Sequence, residues 1–431
     1  MYEERDCYIT QEILCLRGGI IDMNIKQCVH DNVGEITGLH QYFHMYPELS
    51  TEEFSTMEYI QKKLKEYNIP SVHIEKGGIL GIIDSGKPGK TLLLRADIDA
   101  LPITESDINI SKQKKYISQN KGIMHACGHD GHTAMLLVEG KILQENRNEW
   151  EGKVVLMFEE GEENGSRYLL QFFAYFKKHA IHVDGCYGTH VRWDIPSGKI
   201  GIITGPAMAG VFAFDITLMG IGGHGSRPDL AVNPIDCFAA IYNGINTIRM
   251  RNISPQHCLT VSIGKLKGGE RINVISDMLE FGGTVRYFDE NDGKQFKEKL
   301  ERILENECSN FGCRYIVNKK SLNYVLRNNE DCARIACNSI AKNLGENVLY
   351  AVQPWMASES MALTLRVYPG VFSFTGIANT EIGSGANHHT AAFDIDDAGL
   401  VTGVAAAISY SLAFLAYTQP IPFTAQSIEQ A

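Results

Sequence analysis

The chain has 431 residues, of which 44% are hydrophobic and 21% charged. That balance excludes a disordered chain and supplies core enough for two or three domains at roughly 150 residues each. Lys and Arg number 40 against 51 Asp and Glu, a formal net charge of −11, which argues against a nucleic-acid partner bound through a basic footprint.

Residues 1–30 read as an N-terminal extension without a clear period. Their start, MYEERDCYITQEILCLRGG, lacks the basic flank and long apolar core of a secretory signal. Eleven scattered cysteines with no CxxC argue against a disulfide framework and for a reducing, cytoplasmic location. Residues 31–69 read as helical with a break at Pro47-Glu48-Leu49, and Thr51 stands as an N-cap ahead of Glu52 and Glu53. Two apolar runs, 79–84 and 91–96, flank the turn SGKPGK and predict buried strands. Residues 133–144 predict a helix and 153–158 (KVVLMF) a further strand. Strands alternating with helices predict an α/β/α domain with a mainly parallel sheet.

The middle of the chain changes character. Strands are predicted at 212–219, 258–265, 278–289 and 313–319, with helices at 233–250 and 292–310. The order β-α-β-β-α-β is a split βαβ, ferredoxin-like α+β unit. The expected organisation is therefore an extension (1–30), a first part of the α/β domain (31–206), an inserted domain (207–327) and a second part of the α/β domain (328–431). Near the end, no residue from Gly399 to Ile428 is charged. A membrane helix there would lack Lys or Arg anchors, and its Ala, Ser, Thr and Gly content reads instead as a buried core helix.

Six stretches carry chemistry. MHACGHDGHTAML holds His125, Cys127, His129, Asp130 and His132 in eight positions, and thiolate with imidazole is the donor set of zinc-like ions. FEEGEENGS places Glu159, Glu160, Glu162 and Glu163 directly after the strand KVVLMF, where open α/β sheets carry their sites. Crowded carboxylates there call for a cation. RADIDALP offers Asp97 and Asp99, suited to orienting a ligand or a base, or to a plain cap. His190 stands in GTHVRWDIPSGKIG, and His388 and His389 stand in GANHHTAAFDIDD. His224 lies in the Gly-rich GIGGHGSRPDLAVNP, which lacks the GK[ST] ending of a phosphate loop.

Taken together and in order, RADIDALP, MHACGHDGHTAML, the Glu pair, THV…GKIG, GIGGHGSRPDLAVNPID, GGERINVISDMLEFGGTVRYFD, SES and HHTAAFDIDD resemble the metallo-amidohydrolases that include hippurate hydrolase, N-acyl-amino-acid amidohydrolases and the plant auxin-conjugate hydrolases. These sit within the aminoacylase and carboxypeptidase superfamily of di-metal peptidases. The resemblance spans roughly residues 35 to 415. It implies a catalytic domain interrupted by a lid domain, and two divalent metal ions, Mn²⁺ or Zn²⁺, with Co²⁺ or Ni²⁺ as further candidates. By motif, Cys127, His129, Glu163, His190 and His389 match metal ligands, the last chosen because it stands four before Phe393. Glu162 matches the general base and Asp99 the Asp that supports the metals. His224 matches a lid histidine that polarises the scissile carbonyl, and Asn273 and Arg286 match lid groups for a substrate carboxylate.

The reaction so implied is hydrolysis of the amide of a small N-acyl amino acid or related conjugate by a metal-bound water, with a glutamate base. The alternatives are a dipeptidase, a carbamoyl-type amidohydrolase, or an inactive metal-binding protein. The implied partner is a small amide, with no membrane, and a homodimer through the lid domain is one assembly the resemblance allows. Glu159, Glu160 and Gly161 stand where the family commonly has Gln-Pro-Ala, and Ser360 where it commonly has Asp. Two added acids set the expectation that anionic substrates are repelled or cationic ones favoured.

Overall fold

The computed structural model describes residues 23–165 and 167–428. The chain divides into two compact units. One comprises the chain through Ala207 together with Arg327–Gln353 and Leu363–Ser427. The other comprises Met208–Leu326 and takes up a short excursion, Pro354–Ala362.

The first unit is built on an eight-stranded sheet. At its centre Lys153–Glu159, Thr91–Asp97, Gly185–Pro196 and Gly370–Ala378 run parallel to their neighbours in that order. Lys153–Glu159 buries every residue after the first, and Gly370–Ala378 every residue before the last. Strands apolar on both faces need helices on both faces, which is why they read as continuous runs rather than alternations. Helices Val33–Met45, His129–Glu145, Glu330–Leu344 and Asp397–Ala416 contribute to the shared core. Asp97 and Glu159 close the C-terminal ends of their strands, where sheets of this type place their sites.

Three local expectations change. The helix expected at 133–144 begins at His129, because Gly128 at φ +89° turns the chain into it. Thr51 is not a cap: the helix Phe54–Glu66 follows Glu53, and its second and third N–H groups, from Ser55 and Thr56, donate to the Glu48 carboxylate at 3.1 and 2.8 Å. Within the stretch read as an extension, Ile25–His30 is a helix capped by Asn24, and its Ile25 and Val29 enter the main core. Six residues are too short a window for a period to register; residues 1–22 of that stretch lie outside the described residues.

Asp397–Ala416 is long and apolar enough to cross a membrane, and 78% of its most apolar window is buried inside the structure. It packs on Glu330–Leu344, His129–Glu145 and Gly370–Ala378, and Asp396 caps it through the Ala398 N–H at 3.1 Å.

The second unit is a four-stranded antiparallel sheet ordered Leu259–Gly268, Met278–Tyr287, Gly210–Met219, Arg314–Asn323. Two helices, Pro234–Arg251 and Glu290–Phe311, cover one face. Cys237, Ile241, Ile245 and Ile248 on the first, and Phe296, Leu300 and Leu304 on the second, are buried against Phe212, Phe214, Ile216 and Leu218. The 3.6-residue period of the helices meets the two-residue period of the strand. This is the split βαβ order.

Candidate metal centre

In the first unit five side chains converge. The Cys127 sulfur is the hub, 3.5 Å from His190 Nε2 and 3.3 Å from His389 Nε2. His389 Nε2 lies 3.2 Å from Glu163 Oε1, which is 4.0 Å from His129 Nε2. The donor atoms form two triplets that share the sulfur, Cys127–His129–His190 and Cys127–Glu163–His389, with atoms of each within 4.8 Å of one another.

Outer partners set how two of the imidazoles point. His129 Nδ1 meets Asp99 Oδ1 at 3.0 Å. An ionised carboxylate only accepts, so Nδ1 carries the proton. His190 Nδ1–H likewise donates to the Val191 carbonyl at 2.6 Å. Both rings therefore turn Nε2 toward the sulfur, the orientation a metal ligand needs. The other Asp99 oxygen accepts from Ser50 Oγ at 2.6 Å and from the Glu163 N–H at 2.9 Å. Burial opposes the charge of Asp99, but His129, Ser50 and that N–H hold its carboxyl below the ordinary range.

The backbone is shaped to match. A Cβ on Gly128 would stand 2.3 Å from Val191 Cγ2, so only glycine fits between Cys127 and His129 with that left-handed φ. His389 itself takes φ +60° and its N–H donates to the Ala126 carbonyl at 2.9 Å. A left-handed non-glycine residue stores strain of the kind found at functional sites.

The donor set tests well against divalent cations. Burial pushes the Cys127 thiol up, and Glu163 adds to the effect, so the protein alone does not hold a thiolate there. Glu163 Oε1 is buried without a well-aligned hydrogen bond. Its 3.2 Å approach to His389 Nε2 suits two ligands of one ion better than a donor and its acceptor. A thiol, three imidazoles and a carboxylate facing one another are a soft-to-borderline metal set.

Glu162 follows the same strand end, half-buried, and belongs to neither triplet. His388 is buried with its ring 5.1 Å from that of His190 and 4.9 Å from that of Phe393. Glu159 is not a charge presented to substrate. It is buried and meets Arg95 Nε at 2.8 Å and Nη2 at 2.6 Å through one oxygen. Glu160 is also buried, and that burial raises its pKa. The expected repulsion of anionic substrates by two added acids therefore loses its basis, because Arg95 on the neighbouring strand compensates the first.

His224, Asn273 and Arg286 all lie in the second unit. His224 and Asn273 meet in a small ribbon in which Val274 pairs with His224 and the Gly225 N–H donates to the Asn273 carbonyl at 2.9 Å. His224 is exposed, and its Nδ1 accepts from the Ser226 N–H at 3.1 Å. A backbone N–H can only donate, so in the neutral ring the proton sits on Nε2. Arg286 is half-buried and donates from Nη1 to Ser358 Oγ at 3.0 Å. Glu359 is buried and accepts the Met361 N–H at 3.1 Å.

A second cluster did not emerge from the motifs. His44 Nδ1 meets Asp130 Oδ2 at 2.7 Å, and its Nε2 meets Glu105 Oε1 at 2.9 Å. His40 Nδ1 meets Asp397 Oδ1 at 2.6 Å, with Nε2 at 3.4 Å from Asp130 Oδ2. Lys114 Nζ lies 2.7 Å from Glu105 Oε1. Burial opposes charge on both imidazoles, but the carboxylates win and raise His40 to about 10 and His44 to about 9. Protonated rings held by acids make this an ion-pair cluster.

The sequence model of peptidase family M20/M25/M40 matches residues 93–411. The chain is 34% identical over 370 residues to N-acetyl-L-cysteine deacetylase of Bacillus subtilis, spanning 85% of each protein. It is 30% identical over 388 residues to IAA-amino acid hydrolase ILR1-like 2 of Arabidopsis thaliana, spanning 88% of this chain and 84% of that protein. A solved structure of a dinuclear metal-binding peptidase of family M20 from Bacillus subtilis is similar with TM-score 0.74 and 26% identity, over 90% of this chain and 100% of that one.

Proposed function

The chain belongs to peptidase family M20/M25/M40 and is a metal-binding hydrolase of carbon–nitrogen bonds, and from that premise we propose that it cleaves the amide of a small N-acyl amino acid or amino-acid conjugate. The convergence of Cys127, His129, Glu163, His190 and His389, two of the imidazoles held with Nε2 toward the sulfur, carries the reading. Its relatives that deacetylate N-acetyl-cysteine or hydrolyse IAA-amino acid conjugates support the substrate class over a dipeptide or a carbamoyl compound.

These five residues would hold two divalent cations, Mn²⁺ or Zn²⁺. When bound, the cations acidify a coordinated water and polarise a carbonyl. Glu162, outside both triplets, takes a proton on its carboxylate and passes it to the leaving nitrogen. Asp99 keeps the His129 tautomer and the Glu163 backbone in place. His224, with its proton on Nε2, donates to the carbonyl oxygen as charge develops there. Arg286 and Asn273 bind the carboxylate of the amino-acid half. The open edge strand Leu259–Gly268, with Leu266 exposed, supports a homodimer through the inserted unit. The free cysteines among the described residues support a reducing, cytoplasmic location.

The test is a panel of N-acetyl, N-benzoyl and N-indoleacetyl amino acids beside dipeptides, each in Mn²⁺, Zn²⁺ and Co²⁺, with metal content measured under reducing conditions. Two metal equivalents per chain and turnover of the N-acyl compounds are expected. Turnover confined to dipeptides, or less than one equivalent of metal, overturns the reading.

The carboxylate assignment has its own check. Arg286→Ala is expected to raise KM at least tenfold for substrates with a free carboxylate and to leave amidated analogues nearly unchanged, since a charge-assisted pair is lost only in the first case. Equal effects on both would remove Arg286 from the assignment.

A further inference from the structure

Behind the metal ligands runs a chain of buried polar side chains that the proposed reaction leaves without a role. It starts at Glu159, at the end of its strand and in register with Asp97 on the next. Arg95 grips Glu159 through Nε and Nη2, and from Nη1 it reaches Asp97 Oδ2 at 2.8 Å. The other oxygen, Asp97 Oδ1, meets His132 Nδ1 at 2.5 Å. The side chains of Arg95, Asp97, Glu159 and His132 are all within 2% of full burial.

The far end of this chain fixes its chemistry. His132 Nε2 lies 2.9 Å from the backbone nitrogen of Val191. That N–H can only donate, so Nε2 is a lone pair and the His132 proton is on Nδ1, facing Asp97. Val191 is the residue whose carbonyl accepts the Nδ1–H of His190 at 2.6 Å. His132 and His190 thus hold the same residue from its two polar ends, and their rings meet edge to face at 4.6 Å and 72°. A displaced His132 would release the Val191 peptide and with it the ring of a proposed ligand.

We propose that Glu159, Arg95, Asp97 and His132 form a relay of positioning residues that fixes His190 from behind and so sets how tightly this site holds metal. Glu159 enters the relay by sharing the charge of Arg95. Without it the guanidinium bears more heavily on Asp97 and draws that carboxylate away from His132. The relay rests on the two-metal reading above, and its test separates the two. Outer partners of metal ligands are worth about 10–100-fold in affinity.

The experiment compares wild type, Glu159→Gln and His132→Gln as full chains loaded with Co²⁺ under reducing conditions. Affinity is read by competition with a chelator, ligation by the thiolate-to-cobalt absorption band, and folding by melting of the metal-free proteins. Both variants are expected to bind Co²⁺ about 10–100-fold more weakly, and His132→Gln to shift the band as His190 moves. A wild type that shows no cobalt band defeats the metal reading itself. With the wild-type band present, wild-type affinity in both variants overturns the relay, as does a lowered metal-free melting temperature with affinity intact. Should His132→Gln fail to fold, Glu159→Gln, which keeps the side-chain shape, decides alone by the same affinity criterion.

Discussion

Glu162→Gln is expected to lower kcat by about 10²–10⁴-fold, the usual cost of losing a general base, while two equivalents of metal remain bound. The reasoning is positional. Glu163 contributes an oxygen to the triplet with Cys127 and His389, and Glu162, one residue earlier on the same turn, does not. A carboxylate committed to a cation cannot shuttle a proton, so the two neighbours must divide the work. Glu163→Gln should show the reverse pattern, with weakened metal binding and activity that recovers in part at high metal concentration. Metal content and kcat measured on the same preparations decide it. If Glu162→Gln retains more than about a tenth of wild-type turnover, the base is another group.

The legible part of the site lay in sequence clusters of unusual chemistry, and the illegible part in pairings across the sheet. Cys127 and His129 stand two apart, and thiol beside imidazole is rare enough to notice. His389 could be separated from His388 only through the resemblance. In space the distinction is physical: His389 takes the left-handed backbone that brings Nε2 to 3.3 Å from the sulfur, and His388 turns toward Phe393. Glu159 misled for the opposite reason. Four acids within five positions look like a solvated loop or a charged pocket, and nothing local reveals that Arg95, sixty-four positions earlier, lies on the adjacent strand. The fold followed the same rule. Periods of 3.6 and 2 marked the βαββαβ unit almost to its ends, whereas Ile25–His30 was too short to show a period. The Thr51 cap failed because Glu48, reaching forward from the preceding turn, takes the Ser55 and Thr56 N–H groups.

The second large effect lies away from the metals. Asp130→Asn is expected to destabilise the first unit by roughly 3–5 kcal/mol, the range seen when one partner of a buried ion pair is removed. Asp130 is fully buried and touches both His44, at 2.7 Å, and His40, at 3.4 Å. These rings fasten the helix Val33–Met45 to Glu105 on one side and to Asp397, at the start of the last helix, on the other. The pH dependence follows from sign. Both imidazoles are raised in the folded state, to about 10 for His40 and about 9 for His44, against about 6.5 unfolded. Their contribution is complete below pH 6.5, declines as pH rises above it, and is gone once pH passes 9 to 10. Wild type should therefore lose denaturant stability steadily from pH 7 to pH 10, and Asp130→Asn should be weaker at pH 7 and flatter across the range. The comparison belongs in metal-free protein with chelator present, because Asp130 adjoins His129 and a change in metal binding would otherwise mimic the result. Parallel curves for the two proteins from pH 7 to pH 10 would show that the imidazolium cluster does not carry the alkaline loss.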